Sequence, residues 1–181
     1  VELDVKKGKY DEEEGYFGKR KLRCPSCGGI TSIDELKIQS NNGELKTRLC
    51  AVIEQGKDGK IFRAPTPEEK NLEFNNHEKI EITDRIVSGD SRSLWITLWG
   101  YRNYGELFLD RQLIVLNKLV KNVEDVLSFE SDRDYNGALR VYLTFLIDRL
   151  AMRYTAFNTW HIQQDTVEKL FGRQTLPMVY D

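Results

Sequence analysis

Two apolar stripes at helical spacing, parted by four polar residues, constrain this chain more than any other feature. From Asp110 to about Phe129, the side chains of Leu113, Leu116, Leu119, Val120, Val123 and Leu127 recur on one face of a helix. From Tyr135 to about Phe157, a second stripe contains Leu139, Tyr142, Leu143, Leu146, Leu150 and Met152. The link between them is Ser131-Asp132-Arg133-Asp134, and a loop that short makes the two helices antiparallel neighbours. Asp110 sits where a negative charge favours the helix dipole. A third, shorter helix is expected from Asp165, with Glu168 completing a capping box, and is expected to end near Gly172.

The first half reads differently. Residues 1–20 are polar, with the acidic run Asp11-Glu12-Glu13-Glu14, and predict an extended lead-in arm. Residues 21–64 alternate short β-like runs with turn signals. A strand is expected from Leu45 to Glu54, with Lys60-Ile61-Phe62-Arg63 as its partner. The Asp58-Gly59 pair marks the hairpin turn between them. Thr66 is placed to cap a short helix, with Pro67 at its first position and Glu69 at the capping-box position. Residues 75–104 are the least periodic and read as a connection crossing the surface.

Composition narrows the function classes. The 181 residues carry 27 basic and 29 acidic side chains, a net charge of -2, which argues against a histone-like, purely electrostatic nucleic-acid binder. An apolar share of 40% supports a core and argues against global disorder. Apolar runs are too short for a membrane-crossing helix, so no membrane partner is expected. No secretory leader opens the chain, and three cysteines are too few for a disulfide scaffold. Together these point to a cytoplasmic setting or a metal site. The chain opens on Val1 and closes just after the apolar run Leu176-Pro177-Met178-Val179-Tyr180. It reads as part of a longer protein, or a processed one, whose catalytic residues lie elsewhere. Apolar faces left exposed by a missing neighbour would drive artificial homodimers.

The clearest chemical signal is Cys24-Pro25-Ser26-Cys27-Gly28. Two thiolates separated by two residues can chelate one tetrahedral zinc, and the following glycine permits a tight turn that aims N–H groups at the sulfurs. Such a knuckle supplies two of four ligands. Cys50 is a candidate third and His77 or His161 a fourth, although their spacing fits no standard ribbon. Against this, Cys50 sits in an apolar strand, where a free cysteine is usually a small hydrophobe. The two histidines read as surface or helix-end residues, and the Cys-x-x-Cys pair has a thioredoxin-like alternative that needs a βαβ unit.

A basic cluster, Lys19-Arg20-Lys21 with Arg23, directly precedes the first cysteine. It is either a phosphate-contacting patch or a solvated strand edge. Trp160-His161 is placed either to stack on a base or to pack under the helical hairpin. Trp95, Trp99, Tyr101 and Tyr104 form either a satellite core or a platform for a flipped base. No glycine-rich dinucleotide motif, phosphate loop or Asp-Pro-Pro-aromatic motif is present, so no catalytic residue is assigned within the chain.

Several of these segments occur in one order: Cys24-Pro25-Ser26-Cys27-Gly28, Phe62-Arg63-Ala64-Pro65-Thr66, Trp99-Gly100-Tyr101, Tyr104-Gly105-Glu106-Leu107-Phe108, Arg111-Gln112-Leu113, Trp160-His161 and Arg173-Gln174-Thr175-Leu176-Pro177-Met178. In that order, over roughly residues 20–181, the chain resembles the zinc-ribbon-containing adenine-specific DNA methylases of bacteria and archaea. Their cofactor motif and first knuckle lie upstream, and their catalytic motif lies downstream. The resemblance therefore implies the middle segment alone. Two positions depart from the family pattern: Leu109-Asp110 stands where a Thr-Pro helix start is usual, and Cys50 where an aliphatic residue is usual.

The expectation is an α+β chain: a zinc-ribbon-like antiparallel β element over 21–74, an aromatic-rich connection over 75–109, and a helical hairpin with a short third helix over 110–181. The resemblance implies a non-catalytic recognition or support segment of an S-adenosylmethionine-dependent DNA adenine methyltransferase. It would hold zinc through Cys24 and Cys27. It would contact DNA through Lys19, Arg20, Lys21, Arg23, Trp160 and His161, and pack on a flanking catalytic domain that carries the S-adenosylmethionine. The other expectation is a protein-interaction or structural module that never meets nucleic acid.

Overall fold

Caps and turns, rather than long apolar runs, set the elements of the first half of the chain. The computed structural model describes residues 17–18, 21–24, 26–74, 78–89, 94–128, 132–161, 163–164 and 166–168. They fall into two units, one within Val1–Glu73 and the other within Phe74–Val179. The class is α+β, with small antiparallel strand pairs and several helices.

In the first unit, β1 (Phe17–Gly18), β2 (Lys21–Arg23) and β3 (Ile30–Ser32) form an antiparallel sheet in that order. Ser32 then caps α1 (Ile33–Asn41), its hydroxyl accepting the Glu35 N–H at 3.2 Å. Gly43, at φ 71°, follows the end of that helix. A two-stranded hairpin comes next, β4 (Val52–Gly56) with β5 (Gly59–Arg63). Its two-residue loop is Lys57-Asp58, and Gly59 takes φ 132°. The strand expected from Leu45 thus starts seven residues later, and 44–51 has no regular structure.

The short helix α2 (Pro67–Lys70) forms behind a reciprocal capping box. Glu69 N–H donates to Thr66 Oγ1 at 3.3 Å, and Thr66 N–H donates to Glu69 Oε2 at 2.8 Å. Arg63 at the end of β5 clasps this helix to the hairpin. Its guanidinium donates to both Glu69 oxygens at 2.7 Å and also to Glu54 on β4. Core packing is scant here. Leu36 and Pro65 are the buried apolar side chains among the unit's described residues, while Ile30, Ile53, Ile61 and Phe62 are exposed.

The second unit owns the apolar core. Ile86, Ile96, Leu107 and Phe157 cluster in it, with Leu94, Tyr101 and Phe108 packed around them. Tyr101 meets Phe157 edge-on, with ring centroids 5.0 Å apart. Apart from Phe157, which lies in a turn much later in the chain, these residues come from an extended stretch and from two 3₁₀ turns, Trp95–Trp99 and Tyr104–Leu107, with their flanks. The extended stretch is held by Ile86 N–H donating to Arg102 O (2.8 Å) and Tyr104 N–H donating to Asp84 O (2.9 Å). The segment expected to be a surface connection therefore carries core residues. Extended and 3₁₀ backbone buries them with neither a two-residue nor a 3.6-residue period. Gly105 makes this close fit possible: a Cβ there would lie 2.5 Å from the Ile82 carbonyl oxygen.

Helices α3 (Asp110–Ser128) and α4 (Arg133–Ala151) follow. Leu109 offers no capping oxygen, and the buried Gln112 compensates by accepting the Leu109 N–H at 2.7 Å. Asp132 caps α4 through the N–H groups of Asp134 and Tyr135. Asn136 at the start of α4 donates to the Leu127 carbonyl near the end of α3, so the chain doubles back as expected of a hairpin. In α3 the buried residues are Gln112, Ile114, Leu116 and Leu127. The α4 stripe is split. Leu139 and Leu143 are half-buried, but Tyr142, Leu146, Leu150 and Met152 are exposed. The expected stripe mixed two faces of one helix: Ile147 and Ala151, not Leu146 and Leu150, line the cleft against α3.

The third helix expected from Asp165 does not start there. Thr166–Val167 is a strand, β7, antiparallel to β6 (Trp160–His161). Two β-branched residues favour extended backbone. Asn158 and Thr159 lock the pairing: Asn158 Nδ2 donates to Glu168 O at 2.6 Å, and Glu168 N–H to Thr159 O at 2.8 Å. Asp165 and residues 169–172 lie outside the described residues.

Two stability outcomes follow from these contacts. Gly105→Ala lowers stability by about 2 kcal/mol, since backbone must shift to admit the methyl group. Gly137→Ala in α4, where a Cβ meets nothing within 4 Å, raises it by about 1 kcal/mol. Urea unfolding followed by tryptophan fluorescence measures both. A further outcome concerns Arg63, whose hydrogen bonds, with that from the Thr66 N–H, hold Glu69 down at about 2 from the ordinary 4.5. A depressed carboxyl stabilises the folded state above its unfolded value and loses that contribution as pH falls. The stability gap between the wild type and Glu69→Gln is therefore full above pH 4.5 and vanishes as pH falls through about 2. Amide exchange of the β4–β5 hairpin reads it.

Candidate metal knuckle and basic strand

The Cys-x-x-Cys segment leaves β2 and closes on itself before β3 begins. Cys24 N–H donates to Gly29 O at 2.8 Å, and Gly28 N–H donates to Cys24 O at 2.9 Å. Gly28 takes φ 71°, the left-handed conformation that such a turn needs. Gly29 lies so close to the second thiol that a Cβ there would stand 3.3 Å from Cys27 Sγ.

This loop gathers hydrogen-bond donors around one sulfur. The Cys27 N–H, then the Ser26 N–H, then the Cys27 thiol stabilise the Cys24 thiolate and push its pKa below the ordinary value. The loop thus eases ionisation of the Cys24 thiol. A thiolate, not a thiol, binds metal, so the loop favours the ligating form. The donor set fits half of a tetrahedral thiolate site.

The other suggested ligands do not join it in the described structure. Among the described residues, no group of three or more His, Cys, Asp or Glu could hold a metal ion. Cys50 is exposed, with its thiol directed at the Arg48 carbonyl at 3.4 Å. It lies before β4 rather than inside an apolar strand. His161 uses both ring nitrogens locally: Nδ1 accepts the Gln164 N–H at 3.2 Å, and Nε2 lies 3.6 Å from Glu168. His77 lies outside the described residues.

Of the basic cluster, Lys21 and Arg23 are described, and Lys19 and Arg20 lie outside the described residues. Lys21 and Arg23 alternate with the half-buried Leu22 on β2, so both point to the same, solvent-facing side of the strand. They stand within three residues of Cys24. Trp160 and His161 belong to the second unit and are successive strand residues, so their side chains leave opposite faces. In the aromatic group, Trp99 is buried and Tyr101 packs on Phe157, while Trp95 and Tyr104 are exposed. The satellite-core reading thus describes Trp99 and Tyr101. A cleft of about 330 Å³ runs between α3 and α4, lined by Ile80, Phe108, Val120 and Ile147 with Arg140 and Glu124 among them.

No protein-family model matches this chain, and no curated protein or solved structure matches it either.

The knuckle geometry has a direct chemical consequence. Site-resolved alkylation, read by mass spectrometry against pH, places the Cys24 midpoint below the ordinary cysteine value of 9.0. A midpoint at or above that value contradicts the donor arrangement.

Proposed function

We propose that this chain is a recognition or support segment of an S-adenosylmethionine-dependent DNA adenine N6-methyltransferase, and that methyl transfer itself is carried out elsewhere in the parent protein. The observation that carries the reading is the Cys24–Cys27 loop, with its paired sulfurs and N–H donors, rising directly from a strand whose exposed side bears Lys21 and Arg23. Cys24 and Cys27 would hold a structural zinc together with two thiolates from a second knuckle. Bound zinc would pin the loop and supply no catalytic step. Lys19, Arg20, Lys21 and Arg23 would meet phosphates, and the exposed Trp160 would stack on a base. The S-adenosylmethionine would belong to a flanking catalytic domain, as the family resemblance implies.

The physical division of labour is consistent with the charge. A near-neutral chain gains little from long-range attraction, so any grip on DNA must be local. Phosphate contacts from one strand edge position a duplex without reading its sequence. Sequence choice and chemistry are then left to other parts of the parent protein.

A second reading is favoured by a separate observation. The outer face of α4 exposes Tyr142, Phe145, Leu146 and Met152, the kind of patch that marks a protein-binding surface. On that reading the chain is an interaction module without nucleic-acid contact.

Duplex binding by fluorescence anisotropy separates the two. Four phosphate-contacting side chains give a slope of about -3 to -4 for log K against log salt. Replacing Lys19, Arg20, Lys21 and Arg23 by alanine removes both binding and slope. No binding at low salt, or binding indifferent to those replacements, supports the interaction module instead.

A further inference from the structure

We propose that the outer face of α4 docks against the same face of a second copy of this chain, antiparallel and about a two-fold axis passing between Tyr142 and Phe145. The face has the spacing of a seam. Tyr135, Tyr142 and Arg149 recur seven residues apart, and so do Ala138, Phe145 and Met152. A seven-residue repeat of two positions is what keeps one helix in register with another. The exposure is large where the seam would be: Tyr142 is 71% exposed, Phe145 63% and Leu146 62%. From Tyr135 to Met152 the seam is about 25 Å long at the helical rise. A groove bordered by Tyr142, Leu146, Arg149 and Arg153 runs along it.

Charge selects the occupant. The seam is apolar except for Arg149, and an unpaired guanidinium in an apolar contact is costly. In the antiparallel register that sets Tyr142 of one copy on Phe145 of the other, Arg149 falls opposite the small Ala138. That leaves room for it beside Asp134 of the second copy. The two-fold axis repeats this pair at both ends. Among the described residues neither Arg149 nor Asp134 has an ion-pair partner within the chain. The same register sets Tyr135 against Met152, so every apolar layer meets an apolar layer. A parallel pairing would instead stack Arg149 on Arg149. The seam is therefore complementary to itself in one direction only.

The test is the mass of the full chain in solution, by sedimentation velocity from about 1 to 100 μM, with reductant and chelator present so that the cysteines cannot bridge copies. The expected result is a reversible dimer. Phe145→Glu converts it to monomer, and Arg149→Glu weakens it by at least about tenfold by setting two acids together. The double variant Asp134→Arg/Arg149→Glu restores the dimer to within about threefold. All three positions are solvent-exposed, and unchanged circular dichroism confirms that the variants fold. A chain that stays monomeric at 100 μM overturns the proposal. So does a dimer indifferent to Phe145→Glu, or a double variant that fails to recover. If the face is covered by another segment of the same chain, the wild type is monomeric, and that result also overturns it.

Discussion

Leu107 is the point on which the second unit turns. Its side chain is almost fully buried with Ile86, Ile96 and Phe157, and its carbonyl accepts the Ala156 N–H at 2.9 Å. One residue therefore ties the chain before α3 to the chain after α4. This matters because α4 buries no residue of its own. The position of the helical hairpin is fixed at its two ends, by Leu107 and Gln112 on one side and by the Thr155–Asn158 turn on the other. That turn is itself rigid: Asn158 Oδ1 accepts from both the N–H and the hydroxyl of the buried Thr155.

The first unit is organised on a different principle. With so little apolar burial, its order comes from closed polar circuits: the Ser32 cap, the reciprocal Thr66–Glu69 box, the Arg63 clasp and the hydrogen-bonded loop of Cys24 to Gly29. The last circuit is also the candidate functional element. The N–H groups of Cys24 and Gly28 close the turn, which leaves those of Ser26 and Cys27 to stabilise the Cys24 thiolate. A metal bound there would add the connection between strands that the sparse core does not provide.

How much of this was legible beforehand depended on which code each segment used. The capping box at Thr66, the hairpin around Asp58-Gly59 and the two long helices carry strong local signals, and each forms. Helix α1 was not anticipated, although Ser32 followed three residues later by Glu35, and Asn42-Gly43 at the far end, spelled out its limits. Its composition, with one buried residue in nine, lacks the apolar stripe that a periodic reading seeks. The core around Ile86 and Ile96 was hidden for the opposite reason: irregular backbone buries residues with no period to detect. In α4, leucines and aromatics surround much of the helix, so the sequence did not say which face meets α3. At the knuckle, Gly28 marked the tight turn that closes after Cys27. The Arg63 clasp, which joins residues nine and six apart in sequence, needed the hairpin register before it became visible.

The contrast between the two units gives each its own sensitivity to the surroundings. The Arg63 cluster is partly open to water, so dissolved ions weaken it, whereas a buried aliphatic contact scarcely notices them. Urea and cold act the other way round, eroding the attraction between Ile86, Ile96, Leu107 and Phe157. A single polypeptide thus answers to two sets of solvent conditions. Brine loosens the half that bears the thiols before it reaches the half that bears α3 and α4.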